Sequence, residues 1–263
     1  MSYEWLGRVA VVDLEAACAL FGYDMLPAPL GRSRPVGSVW LLTRDVAPIE
    51  DRLHDGDLRG VRAWVESVVR ADVHVECTVH RFEDDGPDLR VHGLRAGESC
   101  FIGVQTRDAD GVDVVDIHGV SAGALAAAVV DAVGLTGAGV RQRIAVPGSG
   151  DRLPDTPELL DEYDDFGFLI PGAEVAAVPV VESGDVTATG TVRARCDPAR
   201  YWGADADRRV LQWVQVDGDG DYLYEPGDSG YAEPVDAETL TSYLDGLIAD
   251  ELDVVQRYSA TQP

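Results

Sequence analysis

Gly119-Val120-Ser121-Ala122-Gly123 has the G-x-S-x-G spacing of a nucleophile elbow, in which a serine on a sharp strand-to-helix turn attacks an acyl carbonyl. A strand-like run precedes it and an alanine-rich helical run follows, as that chemistry requires. Chain order argues against it. Such hydrolases carry their base histidine after the serine, whereas histidines 54, 74, 80, 92 and 118 all precede Ser121. A helix-capping serine accounts for the same residues. Asp217-Gly218-Asp219-Gly220-Asp221 resembles the start of a calcium loop, but the required sixth-place Gly and twelfth-place Glu are Tyr222 and Asp228. Strand-like text flanks it, so an Asp/Gly hairpin turn is the simpler reading. His74, Glu76 and His80 share one strand face and read as solvated or interface residues. At ~3.3 Å per residue the two histidines stand roughly 20 Å apart, too far for one metal ion. The glycines of 134–139 follow a helix, so they end it and do not cradle a dinucleotide. No catalytic residue, metal or cofactor is predicted. A serine hydrolase or metal-dependent enzyme using Ser121 or the Asp217–Asp221 loop stays as the alternative.

The elements that would position these groups alternate clearly. Val73, Val75, Cys77 and Val79 oppose His74, Glu76, Thr78 and His80, a half-buried antiparallel strand. Val186, Ala188, Gly190, Val192 and Ala194 likewise oppose Thr187, Thr189, Thr191, Arg193 and Arg195. Further strands are predicted near 88–95, 99–107, 111–118, 208–217, 221–225 and 231–233, with a short one at Val9–Val12. Helices are predicted after Asp13, from Asp57 to Arg70 with Leu58, Val61, Trp64, Val65 and Val68 inward, and from Ser121 to Val133, ended by Gly134. A last helix is capped by Asp236, with Leu240, Tyr243, Leu244 and Leu247 on one side. Leu26-Pro27-Ala28-Pro29-Leu30 is expected to be extended.

The halves look alike. Val104-Gln105-Thr106 matches Val214-Gln215-Val216 at an offset of 110, and Val120–Leu125 matches Val235–Leu240 at 115. A longer loop at Pro226–Gly230 would absorb the slip. The organisation read from this is an N-terminal α/β half (1–146), a partly flexible connecting segment (147–185, with a short helix at Pro157–Tyr163) and a C-terminal α/β half (186–263).

Charge excludes several partners. The 263 residues hold 47 acids and 21 basic residues, all arginine, for a net charge of −26. The excess is uneven: 22 acids face 14 arginines through residue 150, and 25 face 7 after it. Nucleic acid and anionic membrane would be repelled. No run approaches the ~20 apolar residues of a membrane helix, and no signal-peptide pattern opens the chain. Four cysteines without CxxC spacing point to a reduced, cytoplasmic protein. What remains is a binding surface. Trp213, Tyr222, Tyr224 and Tyr231 are candidate interface anchors, each equally compatible with an ordinary core position.

In layout the chain resembles the EspG chaperones of actinobacterial type VII (ESX) secretion. The likeness rests on the N-terminal strand and helix running into Leu-Pro-x-Pro-Leu (26–30), and on the helix leading into a strand over 58–82. It also rests on the small-residue strand around Gly190 followed by Val210–Val216 and the hairpin 217–223, and on the helix after Val235-Asp236-Ala237. The resemblance implies an α+β fold, a pseudo-two-fold repeat with a central antiparallel β-sheet flanked by two helical bundles. It implies a cytoplasmic chaperone that binds PE–PPE heterodimers, covers the apolar PPE tip and keeps them soluble, with no cofactor and no catalytic residue. The contact surface it implies maps to 208–225 and 236–252, taking in Trp213, Gln215, Tyr222, Tyr224, Tyr231, Leu240, Tyr243, Leu244 and Leu247. The acidic 83–88 loop, with Asp84 and Asp85, would face a basic patch on the client. A homodimer of the free protein and a self-associating scaffold of other purpose stay open.

Overall fold

The computed structural model of the chain describes residues 3–33, 47–82, 87–145, 178–196, 209–224 and 231–259. In the first half, β1 (Glu4–Ala10) leads into α1 (Val11–Leu20), α2 (Ile49–His54) and α3 (Arg62–Val68). Then come β2 (Val73–Arg81), β3 (Leu89–Ala96), β4 (Ser99–Arg107), β5 (Asp113–Val120) and α4 (Leu125–Val133). A short β6 (Ile144–Ala145) precedes β7 (Val186–Cys196), β8 (Leu211–Val216), β9 (Gly220–Tyr224), β10 (Tyr231–Pro234) and α5 (Ala237–Ser259). Among the described residues the chain is mixed α/β, with ten strands and five α-helices.

The strands form one sheet in the order β1-β5-β4-β3-β2-β7-β8-β9-β10-β6. Each neighbouring pair is antiparallel. The two alternating segments meet in the middle, β2 against β7, from Val73 opposite Cys196 to Arg81 opposite Ala188. From that junction each half adds its strands as a meander. Each half then borrows an edge strand from earlier in the chain, β1 beside β5 and β6 beside β10.

Residues directly opposite on paired strands share a face, and successive residues alternate between faces. One face carries Val73, Val75, Cys77 and Val79 of β2, Val91, Ile102, Val192, Leu211 and Trp213, and packs under α4 and α5 together. Leu240, Leu244, Leu247 and Ile248 supply the α5 side of that contact, each worth roughly 1.5–3 kcal/mol on burial. The other face is covered twice. In the first half α1, α2 and α3 pack on Val9, Leu94, Phe101, Val115 and Ile117. In the second a smaller cluster joins Ile144, Val181, Val214, Val216, Tyr222 and Ala232.

Several local expectations are corrected. Pairing with β5 carries the first strand back to Glu4, and the helix begins at Val11, so Asp13 lies in its first turn and not at its cap. Residues 57–61 are turns, and the helix starts at Arg62, although its apolar face is buried as expected. Pro27–Leu30 doubles back, with the Leu30 N–H donating to the Pro27 carbonyl at 3.0 Å. Long-range bonds hold it so: Gly31 N–H donates to Gln105 Oε1 (2.9 Å), while Gln105 Nε2 (2.7 Å) and Arg90 (3.1 Å) donate to its carbonyl. Strand β2 is buried on both faces through Glu76, because His74 packs against His92 of β3 and Glu76 is enclosed by Arg193 and Arg195 of β7. Val186 joins the smaller cluster, since a bulge between Val186 and Ala188 shifts the register. The offset of 110 sets β4 against β8, whereas by position from the β2–β7 junction β8 corresponds to β3.

Asp84 and Asp85, the Pro157–Tyr163 helix, the Pro226–Gly230 loop and most of the 147–185 connector lie outside the described residues. Of that connector, Val180 bridges to Ala145 and Ser183–Asp185 makes a 3-10 turn. No helix among the described residues is long and apolar enough to cross a membrane.

Candidate functional site

Alternation puts Trp213 on the helix-covered face, and there it is core. It is 2 % exposed and lies flat on Gly190, where a Cβ would meet its Cζ2 at 2.0 Å. Tyr222 is also fully buried, packed over Gly139, with its hydroxyl donating to Asp219 Oδ1 (2.9 Å) and accepting from Arg141 N–H (3.0 Å). Leu240, Leu244 and Leu247 point into the same core. These five offer no surface to a partner in this conformation. An apolar side chain on a sandwiched element goes inward, and sequence alone does not say which face is sandwiched. Gln215 is half-buried, with Nε2 donating to Thr136 Oγ1 (3.1 Å) and Asp221 Oδ1 (3.3 Å). Tyr224 is half-buried, and burial raises its pKa. Tyr231 is half-buried under the Arg143 guanidinium, 5.3 Å from its ring centre. Tyr243 is exposed on the outer side of α5.

The Asp217–Asp221 segment is the β8–β9 hairpin turn (217–219) and the first two residues of β9. Its inner carboxylates are spent on the chain. Asp221 Oδ2 accepts from Thr136 N–H (2.6 Å), Thr136 Oγ1 (3.0 Å) and Gly137 N–H (2.9 Å). Asp219 Oδ1 accepts from Val140 N–H (2.9 Å), and Oδ2 lies 3.1 Å from Arg141 Nε. These bonds tie the loop after α4 onto the second half of the sheet. A polar cleft of about 400 Å³ opens beside it, bordered by Arg81, Thr187, Gln215 and Asp217. Among the described residues no three His, Cys, Asp or Glu side chains are grouped to hold a metal.

Ser121 is exposed ahead of the 3-10 turn Ala122–Ala124, and its side chain makes no capping bond there. The expected cap is therefore absent at this site, because the 3-10 turn separates the serine from the α4 amides. Asp236 does cap, with Oδ1 accepting from Thr239 N–H at 2.8 Å.

The charged centre of the second face was not anticipated. Glu76, 6 % exposed, accepts from Arg193 Nε at 2.7 Å and is also paired with Arg195. Beside it His74 Nδ1 and His92 Nε2 lie 3.0 Å apart, both rings buried, with Trp64 of α3 edge-on to His92. Burial pushes the His92 pKa well down, and His74 and Arg195 push it the same way. One acid on β2 and arginines at i and i+2 on β7 were the visible signal. Only the pairing of those strands makes them neighbours. His80, by contrast, is exposed at the strand end and bonded to Asp88 (2.7 Å).

Between its two covers this face stays partly open. Thr78, Thr191, Gln212 and Tyr224 stand in one cross-strand row, and Thr191 and Arg193 are exposed. Hydroxyls, an amide and an anchored arginine on a rigid sheet can hydrogen-bond a protein surface. They include no base-and-nucleophile pair. No protein family model matches the chain, and no curated protein matches it.

Proposed function

We propose that the chain is a cytoplasmic chaperone of type VII secretion, of the EspG kind, which binds PE–PPE heterodimers and shields the apolar PPE tip until export. One observation carries the reading. The offset of 115 that relates Val120 to Val235 also carries Cys77 to Val192, and those two residues face each other mid-way along β2–β7. A two-fold axis through an antiparallel pair relates a residue to its own partner only at the axis. This coincidence supports reading the two halves as a pseudo-two-fold repeat, although α4 packs on β3 and β4 whereas α5 packs on β7 and β2. A pseudo-two-fold repeat around a central antiparallel sheet is what the EspG likeness implies.

The open row Thr78, Thr191, Gln212 and Tyr224, with Arg193 beside it, is the docking platform in this reading. Burying an apolar client surface there gains on the order of 25 cal/mol per Å² before association costs. The −26 charge keeps the loaded complex soluble and disfavours acidic clients. The chaperone works without catalysis or cofactor.

Co-expression with PE–PPE pairs encoded beside this chain is the test. A three-component complex that survives size exclusion supports the proposal, and failure with every pair overturns it. Esterase turnover abolished by Ser121→Ala would favour the enzyme instead.

A further inference from the structure

We infer that the α1–α3 layer is a pH-released cover, held on the sheet at neutral pH and loosened in mild acid by protonation at the His74–His92 pair. The geometry is specific. In the neutral state one imidazole N–H serves the 3.0 Å contact between the rings, and His92 Nδ1, fully buried, has no hydrogen-bond partner among the described residues. A second proton on His92 therefore adds both a cation and an N–H with no acceptor in reach. Every neighbouring element is unfavourable to that cation or already committed. From β7 come Arg195 and Arg193, and from β2 His74 and Glu76, whose carboxylate is shared by both arginines. From the segment after α1 comes Tyr23, bonded to Arg195, and from α3 the edge of Trp64. β4 places Gly103 opposite His92 and contributes no charge.

Detaching the cover lets water reach the pair, so the open form takes protons at the ordinary histidine pKa near 6.5. The closed form, with its lowered pKa, resists them. The sign follows: closure is fully stabilised above about pH 6.5 and weakens as pH falls, by about tenfold in the opening equilibrium per unit for each proton taken up. Among the described residues the opposite face carries one histidine, His118 of β5, across from Ile102 and half-buried at the far side of the sheet from α5. Helices α4 and α5 themselves pack on an apolar cluster that includes Val75, Val129, Trp213 and Leu244.

Hydrogen exchange of the full chain at pH 7.5 and 5.5, corrected for intrinsic rates, tests this. Opening at 62–68 and 89–96 is expected to rise about tenfold per unit below pH 6.5, with 125–133 and 237–252 unchanged. His92→Gln should flatten that dependence. Protection that ignores pH, or falls equally in α4 and α5, overturns the inference, as does an unaltered slope in His92→Gln. If that variant does not fold, an NMR titration of the wild-type imidazoles decides. His92 staying neutral through pH 6 supports the inference, and titration at or above 6.5 overturns it.

Discussion

Glu76 of β2 and Arg193 of β7 stand directly opposite each other across the central strand pair, 117 residues apart in sequence, joined at 2.7 Å. Removing the acid leaves Arg195, only 16 % exposed at its side chain, without its carboxylate. Glu76→Gln is expected to cost about 3 kcal/mol, below what a wholly buried pair would lose, because Arg193 reaches water. Urea unfolding at constant m-value measures it.

Gly190 and Trp213 make a second cross-strand dependence. A Cβ at 190 cannot coexist with the indole where it lies. Gly190→Ala should destabilise by about 1–3 kcal/mol through overpacking. In a double-mutant cycle with Trp213→Leu the loss in the double variant should fall short of the sum of the two single losses. Simple additivity would mean the ring is not held against that glycine.

Asp221 ties the loop after α4 to β9 through two backbone amides and a hydroxyl. Asp221→Ala strands those buried donors and should cost about 2–3 kcal/mol. Faster amide exchange at 136–139 is the local readout, with β2–β7 unaffected.

The pH dependence of the α5 N-terminus has a definite sign. Bonds from Thr239 hold the Asp236 carboxyl below the usual carboxylate range. The cap is complete above the ordinary carboxylate pKa and is lost as pH falls through the depressed value. Amides at the start of α5 should therefore fray in strong acid. Asp236→Ala should show the same fraying at neutral pH.

All four cysteines are buried, and burial pushes the Cys77 and Cys18 thiols up to about 12. Thiolate is the reactive form, so a disulfide reagent at pH 8 should label none of the four in the native protein and all four in denaturant. Rapid labelling of the folded chain would contradict this packing.

The alternation of 73–82 and 186–196, the Gly134 stop, the Asp236 cap and the hairpin at 217–219 could all be read from the chain. Each depends on side-chain period or backbone preference within a few residues of itself. Helix α2 could not be read that way. It is six residues long and buries only Leu53, too short to establish a period. The fate of the candidate site also lay beyond the sequence. Alternation separates Trp213 from Gln212 and His74 from Val75, but both faces of a strand become interior once helices cover each side. The pairing of β2 with β7 sets Glu76 between two arginines, and α3 lays Trp64 over His92. Those contacts exist only because segments distant in sequence come together, and only then is it decided which polar residues are buried and which remain exposed for a partner.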